Sequence, residues 1–392
     1  MKKKNKRKIL LTILMFLFLI LLNVTGYFVY KIIEDNNKEK PVEAPKQEKK
    51  EVKKEYHASF VGVGDALLHN GVYIDAATGK IGDDGYQIYD FTEMFTYIKP
   101  LIEKYDLRFY NQETIIGGKN LGLSNYPLFN SPDEIGSDLV NKIGFNLVNT
   151  ATNHTLDKGT TGALYSANFW EKQENALMVG TNSSLEKRNT VVTKEINGIT
   201  YALLGYTYGT NGIPVPSGYE YLVNLYSDTQ AKQDIEAVRD KVDVVMVSMH
   251  WGVEYTHIPT EEQKRQATYL ASLGVDVIIG HHPHVIQPIE YIDDTLVIYS
   301  LGNFISAQDG VQKRVGMIAG FDINKVVENG QTTIKIENPR ADLLWTYHQY
   351  YKNFKIIPFS QLNDSLLPGY QQIYEQYKPI ITEYDSNIQI GV

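Results

Sequence analysis

The sequence predicts a layered α/β or α+β domain behind one membrane-spanning helix, and three observations point there. Short apolar runs alternate with amphipathic, capped segments, and hairpins interrupt and follow them, two marked by Asn-Gly. Residues 9–30 carry no charge over a length that crosses a bilayer. The apolar runs repeatedly end in Asp, Glu, Asn or His rather than in ordinary turn residues alone.

Met1 to Lys8 reads MKKKNKRK, and the uncharged stretch Ile9 to Tyr30 follows. At 1.5 Å per residue it spans roughly 33 Å. Lysines on its amino-terminal side put residues 1–8 in the cytoplasm and the bulk of the chain outside. A cleavable signal peptide is the rival, but no A-x-A-like site follows, only Asn23-Val24-Thr25-Gly26. Residues 31–56 read as a charged, disordered linker with Pro41 and Pro45, too poor in apolar side chains to fold. The expected domain covers 57–340, with 341–392 as an extension packed on it.

Composition narrows the chemistry. With no cysteine, disulfides, thiolate metal sites and thiol nucleophiles are excluded, so a metal must rest on His, Asp, Glu and Asn. Beyond residue 56 there are 24 basic and 39 acidic residues. That acidic balance argues against nucleic-acid binding, which needs a basic surface. The 28 tyrosines suit sugar or polymer contacts, or simply half-buried strands.

Along the domain, Ser59 to Val63 is a strand leading into Gly64-Asp65, where Asp65 is a rim carboxylate or the cap of a helix opened by Leu67 and Leu68. Phe91 to Tyr105 reads as an amphipathic helix interrupted near Pro100. Asp106 to Tyr110 is a strand ending in Asn111-Gln112-Glu113. Ser137 to Ile143 is a short helix, and Phe145 to Thr150 a strand leading into Asn153-His154 and Asp157. Asp157 caps a helix over Thr160 to Glu174 or belongs to a site. Thr190 to Thr207 is a hairpin turning at Asn197-Gly198, and the Gly- and Pro-rich Tyr206 to Tyr221 is a loop bordering a site.

Ser227 opens a helix to Arg239, and Val242 to Met249 is a strand ending at His250, with Glu254 beyond. Thr260 to Gln263 is a capping box for a helix stopping at Gly274. Val275 to Ile279 then delivers Gly280-His281-His282-Pro283-His284. Hairpins over Ile289 to Ser300 and Arg314 to Ile336 flank Asn303. Past Asn338 the pattern weakens.

Five strand ends thus carry candidate ligands: Asp65, Glu113, Asn153, His250 and the pair His282/His284. Each alone is an ordinary loop residue, but together they form a mixed oxygen–nitrogen set. Such a set suits one or two divalent ions such as Mn, Fe or Zn. Two ions sharing a bridging carboxylate would activate water and clamp an oxyanion, and His154 could protonate a leaving group.

These motifs, with Gly64-Asp65, His250-Trp251-Gly252 and Tyr299 to Phe304, resemble in order the CapA family of capsule-synthesis proteins associated with poly-γ-glutamate. That family is similar to calcineurin-like metallophosphatases. The resemblance implies a four-layer α/β/β/α sandwich with metal at the strand ends. It also implies a cell-membrane anchor, membrane-bound ligase and export partners, and an anionic polymer or phosphorylated substrate. It makes Asp65 a ligand of one metal, Glu113 the bridge, and Asn153 and His250 ligands of the other. His282 and His284 fill the closing H-x-H. His154 takes the general-acid position with Asp157 beside it as a catalytic candidate. His69, Asn111, Glu254, His281 and Asn303 are expected to support the ligands.

Two positions depart from the metallophosphatase pattern. Its first motif is Asp-x-His, where this chain has Leu67 with the nearest histidine at 69, and its bridging residue is aspartate, where this chain has Glu113. One metal, altered substrate preference, or a fold retained without catalysis are the readings this leaves. The functional alternatives are therefore a metal-dependent hydrolase or transferase and a non-catalytic scaffold or polymer-binding subunit. An acidic domain would repel polyglutamate unless metals or a basic patch intervene.

Overall fold

The computed structural model describes residues 2–38 and 53–392. The chain divides into two compact units, Met1–Val52 and Lys53–Val392.

The first unit contains the helix Lys2–Asn36. Its apolar side chains are exposed all round, and none of its most apolar window is buried. By length and composition it is long and apolar enough to cross a membrane. Its polar side chains bond back onto the helix: Thr12 Oγ1 donates to the Lys8 carbonyl, Asn23 Nδ2 to Leu19 and Thr25 Oγ1 to Leu21, each at 2.9 Å. Self-satisfaction of this kind is what a water-free surrounding requires. The ends of the expected 31–56 linker are regular structure, since the helix runs to Asn36 and a strand begins at Lys54. Residues 39–52 of that linker lie outside the described residues.

The second unit is built on two sheets. The larger runs, in spatial order, Lys352–Pro358, Gln331–Gln349, Val315–Glu328, Lys54–Leu67, Leu107–Gln112, Leu147–Asn149 and Leu177–Val179. Asn303–Ser306 adds parallel to Lys54–Leu67, and Gln389–Ile390 pairs with Gln331–Gln349. The smaller sheet runs Ile289–Ile292, Thr295–Ile298, Val277–His281, Val244–His250, Ile199–Thr207 and Thr193–Ile196.

Strand alternation creates the layers. Ala58 and Phe60 face Val244, Met246, Val277 and Ile279 between the sheets, with the Phe60 ring stacked on Phe321 at 4.5 Å. Val61 and Val63 turn the other way, onto Phe95, Ile102, Leu139 and Trp170. On the smaller sheet Val245 and Val247 point outward onto Ala231, Ile235, Ala267 and Leu270 of the helices Asp228–Glu236 and Glu261–Ser272. The result is the expected four-layer α/β/β/α sandwich.

Local signals held where the chain itself satisfies them. Ser227 accepts from Gln230 N, Thr260 and Gln263 form the capping box, and Asn197 and Gly198 turn at φ of 50° and 80°. Four expectations need correction. Phe91 to Tyr105 is two short turns, Thr92–Phe95 and Lys99–Ile102, because Pro100 has no N–H and starts the second rather than continuing the first. Asp65 lies inside a strand and caps no helix. Asp157 does not cap Gly159–Glu171, since its carboxylate is engaged elsewhere. The expected boundary between 340 and 341 falls within the strand Gln331–Gln349, so the last segment completes the larger sheet's edge. Asp322 holds Arg340 there by an ion pair of 3.0 Å.

Candidate metal centre

The parallel strands of both sheets end on one side, where open α/β sheets bind ligands. Asp65 is in register with Asn111 and Asn111 with Asn149, while His250 is in register with His281 in the other sheet. Glycines permit the close approach. A Cβ on Gly64 would stand 1.8 Å from the Gly302 carbonyl oxygen, and one on Gly280 would stand 1.9 Å from that of Tyr299.

Three overlapping triads result. In each of Asp65–Glu113–His284, Glu113–His250–His282 and Glu254–His282–His284, one ligand atom per residue lies within 4.8 Å of the others. Glu113 thus belongs to two triads, His282 to two and His284 to two. Asn153 joins them, with Oδ1 2.9 Å from His250 Nε2 and Nδ2 donating to Asn211 Oδ1 at 3.2 Å. His282 and His284 have φ of 97° and 58°, strained for non-glycine residues, on either side of Pro283.

The expected supporting residues occupy a range of positions. Asn111 Nδ2 donates to Asp65 Oδ1 at 2.8 Å and is itself oriented by Asn149 Nδ2 at 2.7 Å. Asn303 Oδ1 stands 3.1 Å from His284 Nδ1 and takes the aligned contact, leaving Asp65 Oδ2 at 3.3 Å as an ionic neighbour of the same nitrogen. His281 stacks on Phe109 at 5.3 Å, with Asp65 Oδ1 3.6 Å from its Nδ1. Glu254 stands apart from that supporting group, because its carboxylate enters a triad.

His154 and Asp157 form a separate pair beside the triads. Asp157 Oδ2 is 2.7 Å from His154 Nδ1, and Phe129 lies edge-on between His154 at 4.7 Å and His69 at 5.2 Å. His69 belongs to no triad; its Nδ1 is 3.2 Å from the Leu67 carbonyl.

Electrostatics favour a cation. Both Glu113 oxygens are buried without a hydrogen-bond partner, as is His282 Nδ1. Burial raises the Glu113 carboxyl well above its usual range, and Asp65 and Glu254 add to the rise. An unpaired buried carboxylate is costly, and a metal would satisfy these orphaned oxygens. Burial and neighbouring imidazoles lower His250 far below its ordinary value and His282 to about 3, leaving both neutral with lone pairs available. Burial opposes charge on His284, yet Glu113 and Asp65 push it up to about 9. Against burial, His284 and Asn111 hold Asp65 below its usual range. The donor set fits a divalent ion of the Mn, Fe or Zn kind.

Sequence reasoning left Asn149, Phe129, Tyr208 and Gln308 without roles. Asn149 had a usable signal, standing at its strand end beside Asn111. Tyr208, whose ring is 4.7 Å from that of His282, comes from the loop expected to border a site. Gln308 accepts from Asn303 Nδ2 at 3.0 Å and donates to the Tyr255 hydroxyl at 3.2 Å, a link with no local signature.

Fold and site define a layered α/β protein carrying a buried carboxylate–imidazole–amide cluster at converging strand ends. More particularly, the chain belongs to the bacterial capsule synthesis protein PGA_cap family, whose model matches residues 59–308. It is 28% identical over 280 residues to the PGA biosynthesis protein CapA of Bacillus subtilis, covering 68% of each chain. It is 25% identical over 281 residues to the capsule biosynthesis protein CapA of Bacillus anthracis, covering 70% of this chain and 65%, just under two thirds, of that one. Among solved structures it is similar to the calcineurin-like phosphoesterase YfkN of Bacillus subtilis, with TM-score 0.42 and 14% identity over 83% of this chain and 98% of that one.

Proposed function

We propose that this protein is a membrane-anchored, extracytoplasmic subunit of a poly-γ-glutamate or related capsule-polymer apparatus, carrying a divalent-metal centre that hydrolyses or transfers an anionic substrate. The observation that carries the reading is Glu113, whose two oxygens are buried and unpaired and whose Oε1 stands 3.7 Å from His250 Nε2 and 3.6 Å from His284 Nε2. Glu113 would bridge, Asp65 and His284 would hold one ion, and Asn153, His250 and His282 the other. Bound ions would supply an activated water and charge to clamp an oxyanion.

The chain's own residues do the rest. Asn111 and Asn303 hold Asp65 and His284 in place, and Asp157 orients His154 so that the imidazole can hand a proton to a leaving group. The basic amino terminus supports an anchor that starts in the cytoplasm with the domain outside, where membrane-bound ligase and export subunits would be its partners. A scaffold without turnover is the second reading, favoured by Leu67 where a ligand is expected.

The test uses the full chain in detergent. Metal content is measured, followed by phosphodiesterase, phosphomonoesterase and γ-glutamyl hydrolase assays with His250→Ala and His282→Ala as controls. Bound metal and activity lost in both variants are expected. Bound metal with no turnover on any substrate would leave the scaffold reading standing, and no bound metal after Mn2+ loading would sink the centre itself.

A further inference from the structure

We propose that Glu254 completes the metal centre, supplying the ligand that Leu67 cannot and making the His284 side an oxygen-rich pocket for a hard divalent cation. The inference rests on the metal centre proposed above and extends its ligand set.

Leu67 is buried at the end of its strand and offers no lone pair. His69, two residues on, does not replace it, because its Nδ1 faces the Leu67 carbonyl and its ring packs on Phe129. Asp65, Glu113 and His284 are therefore one donor short of a four-ligand set. Glu254 is the side chain in reach, since its carboxylate forms a triad with His282 and His284. That triad shares His284 with the Asp65 set and His282 with the His250 set, so Glu254 adjoins a residue of each.

The backbone holds it there. Trp251 N donates to the His281 carbonyl at 3.0 Å and Tyr255 N to that of Pro283 at 2.8 Å, tying the loop to the histidine motif on both sides of Glu254. Gly252 has φ of 88° and lies against Gln263, where a Cβ would come within 2.5 Å of the amide oxygen. The loop therefore has a defined path although Glu254 itself is exposed.

Charge and hardness give the consequence. Two divalent ions facing only Asp65 and Glu113 leave an excess of positive charge, which a third carboxylate reduces. Exchanging an imidazole for a carboxylate also moves the donors toward oxygen, and oxygen-rich sets suit Mn2+ better than an imidazole-rich set does.

The test titrates full-length protein in detergent with Mn2+, reading free Mn2+ by electron paramagnetic resonance and then competing with Zn2+. Wild type is expected to bind two equivalents. Glu254→Gln should lose one or bind it more than about tenfold more weakly, since even groups that only support a ligand are worth 10–100-fold. Glu254→Asp should fall between them, with circular dichroism checking that each variant is folded. Adding Leu67→His to Glu254→Gln should restore the second equivalent with preference shifted toward Zn2+. Unchanged stoichiometry and affinity in Glu254→Gln would overturn the role of Glu254 alone. A wild type that binds neither Mn2+ nor Zn2+ would overturn the whole centre, this inference included.

Discussion

Asp157 Oδ2 receives His154 Nδ1 at 2.7 Å and the backbone N–H of Phe129 at 2.7 Å, so one oxygen fixes both an imidazole and the aromatic segment packed against it. The pair is buried beside the triads but contributes no atom to them. In the function proposed above, Asp157 orients His154 as the proton donor.

Asp157→Asn should leave Mn2+ stoichiometry unchanged while lowering turnover by roughly 10²-fold, the lower end of what a positioned acid supplies. The loss should be greatest for substrates with poor leaving groups, which need the proton most. Equal loss across leaving groups would assign Asp157 a purely structural part.

Stability should respond to pH differently with and without metal. In the metal-free protein His284 has its value raised to about 9 from 6.5, so its contribution is complete below 6.5 and is lost as pH rises through 9. Glu113, held well above its usual range by burial, keeps its proton in the folded state after the unfolded carboxyl has ionised, so stability falls as pH rises above the ordinary carboxyl range, with the same sign. Metal requires both groups deprotonated and stabilises the folded state by binding it. The melting temperature of the apo protein should fall between pH 6.5 and 9, and saturating Mn2+ should remove or reverse that fall. Differential scanning calorimetry in both conditions checks it.

Asn303→Ala should weaken Mn2+ binding by about 10–100-fold, because Asn303 links the His284 ring to the Lys313 carbonyl and Gln308. Gln308→Ala, one step further out, should cost less. Isothermal titration of the two variants gives the order directly.

Gly280→Ala should destabilise the fold by more than about 3 kcal/mol, since the new Cβ would meet the Tyr299 carbonyl oxygen at 1.9 Å and Trp251 Nε1 at 2.6 Å. Both atoms are already bonded to each other at 2.9 Å, so neither can retreat without breaking that contact. Gly85→Ala, at an open turn with φ of 80°, should cost far less. Urea denaturation of the two variants compares backbone collision with backbone strain alone.

The features legible in the sequence were those the chain satisfies locally. Capping at Ser227 and Thr260, the turn at Asn197-Gly198 and the apolar strands needed only near neighbours, and so did the uncharged run from Ile9 to Tyr30. The strand-end ligand candidates were legible for a related reason. A polar, ligand-capable residue directly after an apolar run stands out wherever the strand ends up.

Tertiary structure decided what those candidates meet. Glu254 and Asn303 looked alike as supporting residues, but chain paths brought Glu254 to His282 and His284 and set Asn303 behind the His284 ring. Asp157 read equally well as a helix cap until Phe129, distant in sequence, donated to it. The long strand Gln331–Gln349 was hidden past Asn338 because three different strands pair with it. Residue identity and spacing therefore determined the class of layers and the kinds of donor. Which donors share one centre was settled by pairings between residues far apart in sequence, whose energies no local pattern records.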